Sequence, residues 1–148
     1  MPSPTTARTL AAFVAVAAIA LAGLSFAHQT IVVGAEGAEQ YRVILGMVRE
    51  PVFTDERNGL DLIVRTMDDE PVPGLESSLA VTIVAPGGEE RPLTIRGQWG
   101  RPGYYTDDVM LTMPGVYQVR VMGFIGTVEV DETFDTHEVR PLADLAFP

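Results

Sequence analysis

The chain contains two histidines, His28 and His137, and no cysteine. Their positions limit the metal chemistry available. Ser25-Phe26-Ala27 reads as a signal-peptidase site, and cleavage after Ala27 makes His28 the new N-terminus. A terminal histidine offers one ion two nitrogens, its α-amine and a ring nitrogen. The amine's ordinary pKa of about 7.7–8.0 lets a metal displace its proton near neutral pH. His137 closes the triplet Asp135-Thr136-His137, and on an extended strand residues two apart share a face. An amine, two imidazoles and a carboxylate form a nitrogen–oxygen set that suits tetragonal Cu(II), with Zn(II) less natural. The candidate metal ligands are therefore His28, Asp135 and His137.

Other chemistry is sparse. Without cysteine there is no disulfide, no thiolate site and no Cys nucleophile. All ten basic residues are arginine, so neither a Schiff-base lysine nor a P-loop lysine exists. No Gly-x-Ser-x-Gly is present, and no pair of acids is set for glycoside hydrolysis, so a non-enzyme is expected. Met110 and Met113 are a close methionine pair that suits a core as well as a thioether site. The acidic runs Asp68-Asp69-Glu70, Asp107-Asp108 and Asp131-Glu132 lack EF-hand spacing and read as solvated turns and faces. A formal charge of −10 disfavours nucleic acid and anionic lipid, and leaves a cation or a protein as the expected partner.

These residues need a scaffold that brings residue 28 to residue 137. The leader, residues 1–27, has one charge at Arg8 and an apolar run from Leu10 to Phe26. It reads as a signal peptide or, uncleaved, as an anchor, and either places the rest of the chain outside the cytoplasm, secreted or periplasmic. Residues 28–39 read as a flexible lead-in loosened by Gly34 and Gly37, and residues 40–148 as one domain. Within it, apolar residues alternate with polar ones in short runs punctuated by Gly and Pro. Seven strands are expected: Tyr41–Glu50, one opening after an Asn58-Gly59 turn, one around Leu79–Ile83, Arg91–Arg96, Tyr104–Leu111, one around Tyr117–Val121, and Thr127–Phe134. About seven strands in about 100 residues is the pattern of an all-β, immunoglobulin-like antiparallel sandwich. Pro114-Gly115-Val116-Tyr117 adds the outline of a tyrosine corner, and the apolar tail Pro141–Pro148 is expected to lie back on the domain.

The sequence also resembles a family. Ala27-His28, Leu45-Gly46, Glu50-Pro51, Asn58-Gly59-Leu60-Asp61-Leu62, Trp99-Gly100-Arg101-Pro102-Gly103-Tyr104-Tyr105 and Thr112-Met113-Pro114-Gly115-Val116-Tyr117 are similar to small secreted YtkA-like proteins. That resemblance implies an immunoglobulin-like fold and a role near copper handling or respiratory-enzyme assembly. A narrower likeness is to periplasmic copper carriers of the CopC type, which bind Cu(II) through a mature N-terminal His and an Asp-x-His pair. It implies the same three ligands, His28, Asp135 and His137. The expectation is a copper carrier or chaperone-like protein; the alternative is a non-enzymatic accessory module of a membrane-associated complex outside the cytoplasm.

Overall fold

Leu60, Leu62 and Val64 alternate with Asp61, Ile63 and Arg65, so the longest strand has one wholly apolar face. In the computed structural model, which describes residues 28–148, that face lies in the core: Leu60, Leu62 and Val64 are almost completely buried. The same period of two organises ten strands. They are β1 (His28–Val33), β2 (Tyr41–Met47), β3 (Arg57–Thr66), β4 (Leu79–Val84), β5 (Glu90–Leu93), β6 (Arg96–Gln98), β7 (Arg101–Thr106), β8 (Asp108–Met110), β9 (Gln118–Ile125) and β10 (Val128–Asp135). The larger sheet runs β1-β2-β3-β7-β6, with β8 also on β3, and the smaller runs β10-β9-β4-β5. All pairings between these strands are antiparallel. The sheets pack face to face on Val43, Leu45, Leu62, Val81, Val119, Val121, Val130 and Phe134, each 2% exposed or less. Burying each such side chain stabilises the fold by about 1.5–3 kcal/mol. The protein is an immunoglobulin-like β-sandwich.

Ten strands replace the expected seven for three local reasons. The segment read as a lead-in forms β1, which pairs with β2 along its whole length. The expected strand Arg91–Arg96 divides at Thr94-Ile95, where the chain crosses from the smaller sheet to the larger. The expected strand Tyr104–Leu111 divides at Asp107, whose carboxylate oxygens accept the backbone N–H groups of Thr94 (2.9 Å) and Asp108 (2.9 Å). Asn58-Gly59 is not a turn. Asn58 lies in β3, where its side chain accepts from the N–H of Arg49 and donates to the carbonyl of Arg49, both at 2.9 Å, standing in for a strand neighbour. Gly59 fits closely there: a Cβ would stand 3.1 Å from Thr106 Oγ1 and 3.2 Å from Val48 Cγ2, so a larger residue would push these side chains aside. The tail also differs from expectation. A 3-10 turn, Leu142–Leu145, buries no residue, and Phe147 is almost fully exposed. The leader, residues 1–27, lies outside the described residues.

The tyrosine corner is present. Tyr117, 5% exposed, donates from its hydroxyl to the carbonyl of Met113 (3.0 Å) and accepts from the Met113 N–H (3.1 Å). The stretch after β10 is held on both sides. Thr136 exchanges backbone and side-chain bonds with Tyr117, and Val139 bridges Gly115. On the other side, the Arg140 N–H bonds the Val52 carbonyl and the Thr54 N–H bonds the Arg140 carbonyl. This double attachment fixes where His137 sits.

Candidate functional site

His28 opens β1 and is in register with Gly46, which is in register with Asp61 on β3. Residues in register across a sheet point to the same side. Gly46 has no side chain, so the imidazole of His28 spans the middle strand and its Nε2 meets Asp61 Oδ2 at 3.0 Å. The contact lies on the face of the larger sheet opposite the core. Gln98, at the end of β6, reaches the other oxygen of Asp61 from the far side, Nε2 to Oδ1 at 3.0 Å. Asp61 is 9% exposed, so this carboxylate is buried between an imidazole and an amide.

Glu50 follows the end of β2, the strand end that His28 faces. The attachment of residues 52–54 to Arg140 brings His137 beside it, and His137 Nδ1 lies 3.5 Å from Glu50 Oε2. That separation makes a loose ion pair, too long for a good hydrogen bond. Oε2 is shut off from solvent, and no donor reaches it at good hydrogen-bond geometry; the loose contact with His137 is its charge partner. Burial raises the Glu50 carboxyl above its ordinary range. His137 opposes the rise most, followed by the backbone of Met47 and the charge of His28.

Of the three expected ligands, His137 lies beside Glu50, and His28, at the strand end that Glu50 follows, is bonded to Asp61. Asp135 is exposed, and its Oδ1 accepts from Gln118 Nε2 at 3.2 Å across the β9–β10 pair. Among the described residues no group of three or more His, Asp or Glu side chains is gathered in an arrangement ready to hold an ion. The side chains of His28 and His137 are 32% and 37% exposed, and the inner oxygen of Glu50 lacks a hydrogen-bond partner. Glu50 and Asp61 were not singled out from the sequence. The glycine at 46, which lets His28 reach across β2, was the one local signal for Asp61, and it has meaning only once the register is known.

Fold and site together define an all-β, immunoglobulin-like domain with a polar cluster at one end. No family model and no curated protein matches the chain. Among solved structures it is similar to the Lin-41 filamin domain, at 11% identity over 63% of this chain and 91% of that one, with a TM-score of 0.43. It is also similar to a DUF4785-family protein of Legionella pneumophila, at 8% identity over 68% of this chain, with a TM-score of 0.47. The chain spans 28% of that protein's length.

Proposed function

We propose that the protein is a non-catalytic copper carrier acting outside the cytoplasm, holding Cu(II) between His28 and His137 with the carboxylate of Glu50. The observation that supports this reading most is the buried Oε2 of Glu50, which has no partner at hydrogen-bond geometry and stands 3.5 Å from His137 Nδ1. A carboxylate oxygen held from water without a donor is costly, and a bound cation would satisfy it. In this reading Glu50 supplies the oxygen ligand that spacing alone assigned to Asp135. Export, the role of residues 1–27, frees the α-amine of His28 as a further donor. The partial exposure of both histidines suits an ion that is passed on, and the acidic surface draws cations toward the domain.

The test is a Cu(II) titration of protein whose chain opens at His28, followed by electron paramagnetic resonance. Equimolar binding with nitrogen hyperfine structure is expected. Replacement of His28 or His137 by alanine is expected to weaken binding about 100-fold, and Glu50→Gln about tenfold or more. Absence of equimolar binding, or affinity unchanged in both histidine variants, would sink the proposal.

A further inference from the structure

Trp99 is the chain's single tryptophan and is completely exposed, in the turn that joins β6 to β7. The turn that carries it is nevertheless held firmly. Gln98 and Arg101 pair across it, and Gly100 closes it at a φ of +72°. The Gln98 side chain accepts from Arg101 Nη1 (2.9 Å) and donates to Asp61 Oδ1 (3.0 Å). Arg101 in turn lies over the Tyr104 ring, 3.8 Å from its centre. Gln98 and Arg101 are thus committed to protein contacts, while the indole between them lies wholly in water. An aromatic ring presented on a fixed turn offers a large contact area to a ligand at little ordering cost.

Beside Trp99 an open groove of about 570 Å³ lies over the outer face of the larger sheet. That volume is in the range of small-ligand sites. Gly59 lines it from β3, on the face opposite the core residue Leu60, and a side chain there would project into it. The groove is charged but balanced. Arg49, Arg57, Arg96 and Asp108 line it, Asp107 is in contact with Arg96 (3.4 Å), and Asp61 is in contact with the lining residue Gln98. Three arginines therefore stand against three aspartates. Asp108 Oδ2 accepts from both Arg57 (3.2 Å) and Arg96 (3.1 Å). Each guanidinium has five N–H groups, so donors remain to spare, and Asp108 Oδ1 is left as an acceptor.

The geometry points to a binding site for a neutral oligosaccharide. An acidic ligand finds its countercharges already taken, and a molecule of formal charge −10 repels it. An apolar ligand leaves the paired charges desolvated with nothing in return. A sugar meets both conditions. Each of its hydroxyls donates and accepts, and the chain of arginines and aspartates offers acceptors and donors side by side. The C–H face of a sugar ring is apolar and lies flat on an indole. Trp99 stacks on one ring, and Arg57, Asp108 and Arg96 bond the hydroxyls of the next. The inference does not depend on copper binding.

The experiment uses the purified protein, with cellohexaose, mannohexaose and xylohexaose as probes. The emission of Trp99, the only indole in the chain, reports contact with the ring, and calorimetry reports binding without it. At least one probe is expected to shift the emission to shorter wavelength, with an affinity that does not change as salt is raised. Trp99→Ala is expected to weaken binding about tenfold or more by calorimetry, and because the ring is wholly exposed the fold is left intact. Asp108→Asn keeps the shape of the side chain but removes an acceptor, and is expected to weaken binding about fivefold or more. Absence of binding by all three hexasaccharides at millimolar concentration would overturn the inference. So would an affinity unchanged in Trp99→Ala, or a preference for an oligogalacturonate that fades with salt.

Discussion

Residues 136–140 join two buried polar corners that treat their polar atoms in opposite ways. On one side stands Tyr117, whose hydroxyl both donates to and accepts from the backbone of Met113 and whose own N–H is taken by Thr136. On the other stands Glu50, whose inner oxygen has no hydrogen-bond donor and a histidine only at ion-pair distance. The first corner is closed: every bond the phenol can make cheaply is made. The second leaves an acceptor available. A satisfied buried group holds a fold, whereas an unsatisfied one costs stability and persists where it meets something the free protein lacks. The difference separates a structural corner from a candidate ion site within one short stretch of chain.

The strongest way to break this comparison is Tyr117→Phe. It removes the hydroxyl and leaves both backbone groups of Met113 without their partner, so the fold is expected to lose about 1–3 kcal/mol. The measurement is the urea midpoint at constant slope, and the loss is expected to be the same at pH 5 and pH 8. A cost near zero would mean that the corner is decoration and that the closed-versus-open contrast has no energetic content.

Glu50→Gln comes next and has the opposite sign. The folded-state pKa of Glu50 is raised, chiefly by burial, so the native state takes up a proton that the unfolded chain does not. Its contribution is most favourable below the ordinary carboxylate range and is lost as pH rises through the raised value. At neutral pH the ionised group is therefore a burden that glutamine relieves. A gain of about 1 kcal/mol at pH 7, seen as a rise of a few degrees in Tm, is expected to disappear near about pH 4. Loss of stability at pH 7 would show that the contact with His137 outweighs burial, and would reverse the reading of this corner.

The two corners were not equally legible. The tyrosine corner was readable because its parts are local: Pro114-Gly115 makes the corner, and Met113 and Tyr117 are four residues apart. Alternation likewise revealed the core faces of β3, β4 and β9, since period two is a property of the strand itself. What failed depends on neighbours that no local window contains. Asn58-Gly59 has the composition of a turn, but the backbone of Arg49 draws it into β3. Thr94-Ile95 carries no breaker, yet the chain changes sheets there. Glu50 sits 87 positions from His137 in sequence, and only the binding of residues 52–54 to Arg140 unites them. His28 meets Asp61 for an equally distant reason, two registers that share Gly46.

The smallest expected effect is the one that sharpens the assignment of the oxygen ligand. Asp135 and Glu50 both lie near His137, one in sequence and one in space. Asp135 is exposed and bonded to Gln118, so its charge is already solvated and Asp135→Asn is expected to change stability by less than about 0.5 kcal/mol at any pH from 5 to 8. In the copper titration the same variant is expected to retain the wild-type affinity within about twofold, because an oxygen already served by water and an amide has little reason to turn toward an ion. The comparison with Glu50→Gln then decides between the two carboxylates. If the asparagine variant loses copper while the Glu50 variant keeps it, the Asp-Thr-His spacing identifies the ligand and Glu50 is only a poorly solvated neighbour. If the order is reversed, the acceptor left open beside His137 is the one that serves the ion.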